Sequence, residues 1–214
     1  MAKKCIIIGA VSDVKKEIFD EFFLEDYFII CADAGLLTAE KYGIKPDLVV
    51  GDFDSLGVVP SSKKYNVKVL PAKKDVTDTM YCVLMAMHEG YRQFVLIGCT
   101  GGERGDHTMA NYNTMLYIVR KGGSCVMVDN TSKTFLLGDS RLRIIDQIGC
   151  TVSVFPFGTN MCNVSYEGLK YPLYKADLMM GDTVMGVSNE INSDFAQIEI
   201  NAGFAMIVVY DKPF

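Results

Sequence analysis

The stretch Phe28-Ile29-Ile30-Cys31-Ala32-Asp33-Ala34-Gly35 decides the fold of this chain. Its first five residues are apolar without alternation, which is typical of a strand that is buried on both faces of a parallel sheet. Asp33 and Gly35 follow at once, and residues of these types mark the place where a chain turns. The stretch therefore predicts one step of an α/β fold, from a buried strand through a turn to a helix.

The first 130 residues repeat this step several times. Short strand-like runs occupy residues 5–8, 47–50, 68–70, 94–98 and 125–128. Apolar positions at helical spacing occupy residues 14–23, 36–42, 77–89 and 108–120. Because strands alternate with helices, we expect residues 1–130 to form an open parallel α/β sheet of the Rossmann-like type.

The pattern changes after residue 130. No convincing helical periodicity follows, and strand-like runs occupy residues 150–155, 182–187, 196–200 and 205–210. The segment from Phe195 to Ile200 alternates between apolar and polar side chains, as a half-exposed antiparallel strand does. We therefore expect residues 131–214 to form a small C-terminal all-β domain, either a sandwich or a barrel.

The composition argues against several classes of protein. Half of the 214 residues are apolar and 22% are charged, as in a soluble globular protein. A formal net charge of -5 argues against a nucleic-acid surface. The first apolar run is too short for a signal peptide, and no run approaches the roughly 20 apolar residues of a membrane span. Seven cysteines without a C-x-x-C pair predict reduced thiols in a cytoplasmic protein.

Aspartates follow four of the predicted strands at their carboxyl ends. In chain order they are Asp33, the pair Asp52 and Asp54, the pair Asp75 and Asp78, and Asp106. Ligands bind at this edge of open α/β sheets. Carboxylates gathered there repel one another unless a cation lies between them, and Mg²⁺ prefers a few carboxylates together with water and phosphate oxygens. The pattern therefore predicts a magnesium–phosphate site.

Each aspartate taken alone has a simpler explanation. Asp75 could be a cap for the helix that begins at Thr77, and Asp52 with Asp54 could form a solvated turn. The same placement on four strands favours the functional interpretation of the set.

A glycine-rich loop follows the strand at residues 94–98, and its sequence is Gly98-Cys99-Thr100-Gly101-Gly102-Glu103-Arg104-Gly105-Asp106-His107. Glycines let backbone N–H groups approach phosphate, and Arg104 offers a planar fork to phosphate oxygens. The helix that begins near Thr108 points its positive end at the same place. The loop is neither a P-loop nor a dinucleotide fingerprint. His107 either contacts nucleotide or phosphate, or is a helix-entry residue that is bonded to nearby backbone.

The ordered set of motifs resembles the thiamine pyrophosphokinase (thiamine diphosphokinase) family of the bacterial type, over nearly the whole chain. The motifs that carry the resemblance are Ala32–Gly35, Gly43–Asp47 with Gly51–Ser55, Asp75–Thr79, Arg104–His107 with Asn111, and Gly186–Glu190.

The resemblance implies an ATP:thiamine diphosphotransferase, which transfers the β,γ-diphosphate of ATP to the hydroxyl of thiamine and gives thiamine diphosphate and AMP. It implies an α/β catalytic domain at residues 1–130 that binds ATP and Mg²⁺. Residues 131–214 are expected to bind thiamine and to form a homodimer, with the active site near the interface.

The resemblance also gives each candidate residue an expected role. The catalytic and metal-binding positions are Asp52, Asp54, Asp75 and Asp78. The nucleotide-binding positions are Asp33, Gly35, Thr100, Gly101, Gly102, Arg104, Asp106 and His107. The thiamine-binding positions are Ser188 and Asn189. Because Asp75 and Asp78 stand beside the predicted metal cluster, we also expect one of them to orient or deprotonate the thiamine hydroxyl.

The chain departs from the family pattern in the nucleotide-binding region. Ala34 stands where the family usually has glycine, and Glu103 makes the Gly-Gly-Arg loop one residue longer. The chain also has no tryptophan. An aromatic ring over thiamine would have to come from Phe or Tyr, with Tyr166, Tyr171 and Tyr174 as candidates by location.

Two other functions fit parts of the sequence. The run from Leu48 to Asp54 superficially offers the strand and D-x-D signature of a haloacid-dehalogenase-type phosphatase, in which Asp52 would be the nucleophile. A non-catalytic nucleotide or thiamine sensor would use the same scaffold, although it would not need intact metal ligands.

Overall fold

The computed structural model of the chain describes residues 2–54, 56–73, 75–182 and 186–212. Two compact units divide between Asn130 and Thr131. All seven cysteines are buried and free. None of the helices in the described ranges is long and apolar enough to cross a bilayer.

The first unit contains a parallel sheet of six strands in the order β4-β3-β2-β1-β5-β6. Its strands are β1 (Lys3–Ile8), β2 (Tyr27–Ala32), β3 (Leu48–Gly51), β4 (Val67–Val69), β5 (Tyr91–Ile97) and β6 (Ser124–Val128). Its helices are α1 (Glu17–Asp20), α2 (Gly35–Lys41), α3 (Asp78–His88) and α4 (Gly105–Arg120), with a 3₁₀ turn at Leu24–Asp26. The predicted parallel pairing is confirmed, whereas the comparison with Rossmann-like sheets stays a prediction.

The order of the strands reverses beside β1. This strand pairs with β2 on one side and with β5 on the other. From β1 the chain forms β2, β3 and β4 toward one edge of the sheet, and then returns to the other side of β1 to form β5 and β6. A crevice opens outside the carboxyl ends of the strands at such a reversal, and ligands bind there. The topology therefore places the loops after β1 and β5 next to each other at this edge.

Helix α1 is shorter than the sequence pattern predicts. It spans only Glu17–Asp20, although residues 14–23 carry apolar positions at helical spacing. Backbone groups just before it bind elsewhere: the Asn130 carboxamide accepts from the N–H of Lys15 and donates to the carbonyl of Asp13, both at 2.9 Å. Lys16 supplies no side-chain cap. The helix starts late because these groups are already paired.

The second unit is all-β in its described part. Its strands are β7 (Ser132–Leu137), β8 (Ser140–Ile145), β9 (Thr151–Pro156), β10 (Met161–Glu167), β11 (Ala176–Met179), β12 (Gly186–Glu190), β13 (Phe195–Ala202) and β14 (Ala205–Tyr210). Antiparallel pairing gives the orders β7-β14-β9-β12 and β11-β10-β13-β8.

One apolar core fills the space between these two sets of strands. Val152 on β9 and Ile207 on β14 belong to the same buried cluster as Val164 on β10 and Ile198 on β13. Two antiparallel sheets that share a core in this way have the layering of a sandwich. The strand predicted at residues 182–187 begins at Gly186 in the structure, and residues 183–185 lie outside the described ranges.

Candidate functional site

The carboxyl edge of the parallel sheet is packed so tightly that it requires glycine. A Cβ atom on Gly35 would lie 2.1 Å from the carbonyl oxygen of Ile8 at the end of β1. A Cβ on Gly98, whose φ is 66°, would lie 2.9 Å from the carbonyl oxygen of Val11. The ends of β1 and β5 and the start of α2 therefore meet in backbone contact. This contact brings the predicted nucleotide-binding segments of the first unit together.

Asp33 lies against the carboxyl end of β3. Its N–H donates to the carbonyl of Val50 at 2.8 Å, and a Cβ on Gly51 would lie 3.0 Å from its Cα atom. Its φ is 49°, a left-handed value that is uncommon for a residue with a side chain. One of its carboxylate oxygens is fully buried. Asp33 and Asp52 are therefore neighbours at this edge, as their positions after adjacent strands predict.

Asp52 and Asp54 flank a strained turn after β3. Phe53 between them is 2% exposed and packs into the core of the unit, with a φ of 61°. The N–H of Asp54 donates to Oδ1 of Asp52 at 3.3 Å. The simple interpretation as a turn is thus correct for the backbone. A buried aromatic in a left-handed conformation also marks a strained turn, and strained backbone clusters at functional sites. Ser55 lies outside the described residues.

Asp75 and Asp78 lie at the start of α3. The N-terminal cap of this helix is Thr77, whose Oγ1 accepts from the N–H of Met80 at 3.2 Å. The interpretation of Asp75 as the helix cap is therefore wrong. Asp78 is the first helical residue and has one fully buried carboxylate oxygen, whereas Asp75 is exposed. Both carboxylates lie near the positive end of α3, which favours negative charge.

A preformed metal cluster is absent from the described ranges, where no three His, Cys, Asp or Glu side chains lie close enough to hold an ion. In proteins, Mg²⁺ is usually held by one or two carboxylates plus substrate phosphates. The donors at this edge are hard carboxylate oxygens, which is the chemistry that Mg²⁺ prefers.

The glycine-rich loop leads into α4 with Arg104 and Asp106 bound to each other. Nε of Arg104 donates to Oδ1 of Asp106 at 2.9 Å, and Nη2 donates to Oδ2 at 2.6 Å. The guanidinium holds the pKa of Asp106 well below its ordinary value. Two residues predicted to bind the nucleotide thus bind one another. A phosphate group must share the fork of Arg104 with Asp106, or displace it.

His107 is an exposed residue in the first turn of α4. Its N–H donates to the carbonyl of Arg104 at 3.1 Å, as the helix-entry interpretation requires. The imidazole ring is exposed at the start of the helix, and its contact with nucleotide stays a prediction.

Asn111 binds the backbone of the glycine-rich loop, a role that the sequence does not predict. It is 7% exposed on the inner face of α4, and its Nδ2 donates to the carbonyl of Cys99 at 2.7 Å. Burial of the Cys99 thiol raises its pKa to about 12, so this thiol is a packing group and not a nucleophile. A polar residue among the apolar positions of the 108–120 helix is the signal that could have identified Asn111.

In the second unit, the two predicted thiamine-binding residues have different surroundings. Ser188 is exposed, has a φ of 55°, and lies where the pairing of β12 with β9 shifts register. Asn189 is 7% exposed, and its carboxamide is engaged with the backbone of Tyr171, accepting at 3.0 Å and donating at 2.8 Å. Its Oδ1 also accepts from the N–H of Glu190 at 2.9 Å. Asn189 therefore fixes the exposed Tyr171.

Comparison with known proteins gives one consistent family. Residues 19–127 match the family model described as thiamin pyrophosphokinase, catalytic domain. Residues 141–205 match the model described as thiamin pyrophosphokinase, vitamin B1 binding domain.

Curated relatives and solved structures agree with these models. Thiamine pyrophosphokinase of Bacillus subtilis is 28% identical over 170 residues, which are 76% of this chain and 77% of the relative. Thiamin pyrophosphokinase 1 of Caenorhabditis elegans is 25% identical over 171 residues, or 76% of this chain and 68% of the relative. The crystal structure of the Bacillus subtilis protein has a TM-score of 0.84 at 22% identity, covering 97% of this chain and 99% of that one. The structure from Geobacillus thermodenitrificans has a TM-score of 0.81 at 24% identity, covering 97% of each chain.

Proposed function

The chain belongs to the thiamin pyrophosphokinase family and forms thiamine diphosphate from thiamine and ATP, and we propose that the carboxyl edge of its parallel sheet holds the reacting groups. The single observation that carries the function is the match to both domains of this family, in order, along one chain. The carboxyl ends of the parallel strands are a suitable place for the reacting groups, because ligands of open α/β sheets bind there. The phosphatase and sensor alternatives have no support.

The nucleotide binds along the loop from Thr100 to His107. Gly101 and Gly102 have φ values of 81° and 69°, so their backbone approaches the polyphosphate without hindrance from side chains. Arg104 binds phosphate oxygens, and the N-terminal end of α4 adds its positive potential. Asp33, Gly35 and Asp106 complete the nucleotide site.

A magnesium ion would be held at the end of β3 and the start of α3 by carboxylates from among Asp52, Asp54, Asp75 and Asp78, together with phosphate oxygens of the substrate. When bound, Mg²⁺ neutralises charge on the phosphate oxygens.

The chain's own residues then align and assist the transfer. The hydroxyethyl oxygen of thiamine forms a bond to the β-phosphorus of ATP, the bond between this phosphorus and the α-bridging oxygen breaks, and AMP leaves. Asp75 or Asp78 orients or deprotonates the thiamine hydroxyl. Arg104 neutralises the negative charge that develops on the phosphate oxygens.

Residues 131–214 bind thiamine and form a homodimer, with the active site near the interface. Ser188 contacts thiamine from its exposed left-handed turn, and Asn189 supports the site through Tyr171. The seven free cysteines agree with the cytoplasm as the compartment. The reversal of strand order beside β1 agrees with a Rossmann-like sheet in the catalytic domain.

Release of AMP from ATP, measured with and without thiamine, tests the proposal. Thiamine-dependent AMP release is expected. Phosphate release without thiamine would favour a phosphatase, and no turnover at all would favour a sensor.

A further inference from the structure

We propose that Asn111 is a positioning residue that sets the glycine-rich loop for ATP, an inference that rests on the proposed function of that loop. Its Nδ2 donates to the carbonyl of Cys99 at 2.7 Å. Cys99 is the residue from which the loop departs after β5, and Asn111 lies in the second turn of α4. The bond therefore ties the start of the loop to the helix that follows it.

This bond fixes the first peptide plane of the loop. Because a trans peptide is planar, a Cys99 carbonyl that points at α4 turns the N–H of Thr100 to the opposite side. Gly101 and Gly102 continue from there with positive φ angles, which glycine adopts readily but does not hold by itself. The direction of the loop amides that face the phosphates therefore depends on the anchor at Cys99.

Burial makes this anchor stronger than a surface hydrogen bond. Cys99 is 2% exposed and Asn111 is 7% exposed, so water does not readily replace the amide if it is removed. A buried carbonyl that loses its donor costs more than the hydrogen bond itself contributes. The bond from Oγ1 of Thr108 to the carbonyl of Gly101 is longer, at 3.5 Å. Asn111 thus makes the shorter and more buried of these two bonds to the loop backbone.

Asn113 provides a matched control on the same helix. It is exposed, and its Nδ2 donates to the carbonyl of Met109 within α4 at 3.0 Å. Its substitution removes an asparagine from α4 without touching the loop.

The kinetic test compares Asn111→Leu and Asn111→Asp with the same changes at Asn113. At pH 8 both Asn111 variants should raise KM for ATP about tenfold, with KM for thiamine unchanged. A neutral carboxyl can donate to the Cys99 carbonyl, whereas an ionised carboxylate cannot. Burial raises the pKa of such a carboxyl. KM for ATP in Asn111→Asp should therefore fall toward wild type between about pH 8 and pH 6, whereas the ratio for Asn111→Leu should stay constant. A purely structural role would not produce this pH dependence.

Hydrogen exchange of the amides at residues 99–104, measured without substrates, gives an independent test. Asn111→Leu should exchange faster there than wild type, and Asn113→Leu should not. Thermal unfolding identifies a variant that fails to fold, in which case Asn111→Asp, which keeps the side-chain shape, carries both tests.

Equal exchange and equal KM for ATP in the Asn111 and Asn113 variants would overturn the role of Asn111. Absence of thiamine-dependent AMP release in wild type would instead overturn the proposed function. The exchange result would still decide whether Asn111 anchors the loop.

Discussion

Among the single residues, Asp75 and Asp78 have different surroundings that suit different tasks. Asp75 is exposed just before α3, where Thr77 takes the capping role. Asp78 is the first helical residue, and one of its carboxylate oxygens is fully buried. An exposed carboxylate is free to approach a substrate hydroxyl, whereas a partly buried one is better placed to hold a fixed geometry.

Replacing Asp75 or Asp78 with Asn should lower turnover by about 10²- to 10⁴-fold, because Asn keeps the shape but can neither take a proton nor neutralise a cation. Thiamine-dependent AMP release measures the effect. Asp139→Asn, at an exposed position in the second unit, serves as the control and should be unchanged. Near-normal turnover in both variants would contradict the assignment of this pair.

The Arg104–Asp106 pair predicts a definite pH response. An ordinary Asp has a pKa of about 3.9, and Arg104 holds the pKa of Asp106 well below this value. Because the folded pKa is lowered, the stabilisation that the pair provides is present above about pH 4. It is lost only as the pH falls through the lowered value. Titration of Asp106 therefore does not limit activity at neutral pH.

An NMR titration of the Asp106 carboxyl carbon tests this response. Wild-type Asp106 should stay ionised well below pH 3.9, and in Arg104→Met it should titrate near 3.9. The same low pKa in both proteins would show that Arg104 is not the cause.

For single residues, the sequence predicts which residue types lie at the candidate site, but not which groups these side chains bind. The carboxylates at the strand ends could be predicted, because strand direction alone places them on one edge. That Arg104 pairs with Asp106, and that Asn189 binds Tyr171, could not be predicted. Both depend on side-chain directions that no spacing rule supplies for loops and β-bulges.

At the scale of elements, the start of α2 depends on Gly35. A Cβ atom there would collide with the backbone at the end of β1, and backbone cannot move aside as a flexible side chain can. Gly35→Ala should therefore lower the free energy of unfolding by about 2 kcal/mol or more, as urea denaturation would measure. Gly105→Ala is the matched control, since it begins α4 in open space and should be neutral or slightly stabilising. Equal stability in the two variants would contradict the close packing of β1 and α2.

In the second unit, Asn189 joins strand β12 to the segment that carries Tyr171. Asn189→Leu removes the hydrogen bonds that hold the Tyr171 backbone, so KM for thiamine should rise about tenfold while KM for ATP stays unchanged. Steady-state kinetics with each substrate varied in turn measures both constants. Asn192→Leu, at an exposed position nearby, should change neither. A rise in KM for ATP, with KM for thiamine unchanged, would contradict a role for Asn189 in thiamine binding.

Element types were easier to predict than element lengths. The six strands of the first unit appear where their apolar runs predict them. For five of them burial on both faces leaves a strong signal, whereas the short edge strand β4 is half-buried to exposed. Helix α1 fails to reach its predicted length because Asn130, more than 100 residues away in the chain, binds the backbone of residues 13 and 15. A long-range contact of this kind is invisible to local periodicity.

For the whole molecule, the chain combines a parallel α/β unit with an antiparallel β unit, and the two match the two domains of one family in order. The change from helical to strand periodicity near residue 130 could be read from the sequence. The substrate could not: physical reasoning gives a magnesium–polyphosphate site, and thiamine as acceptor comes from the family.

The most direct test incubates the purified protein with ATP, thiamine and Mg²⁺ and follows the phosphorus-containing products by phosphorus NMR. We expect thiamine diphosphate and AMP to appear in equal amounts, with no ADP, because both terminal phosphates move together. Formation of ADP with thiamine monophosphate, or of inorganic phosphate at a rate independent of thiamine, would contradict diphosphate transfer by this chain.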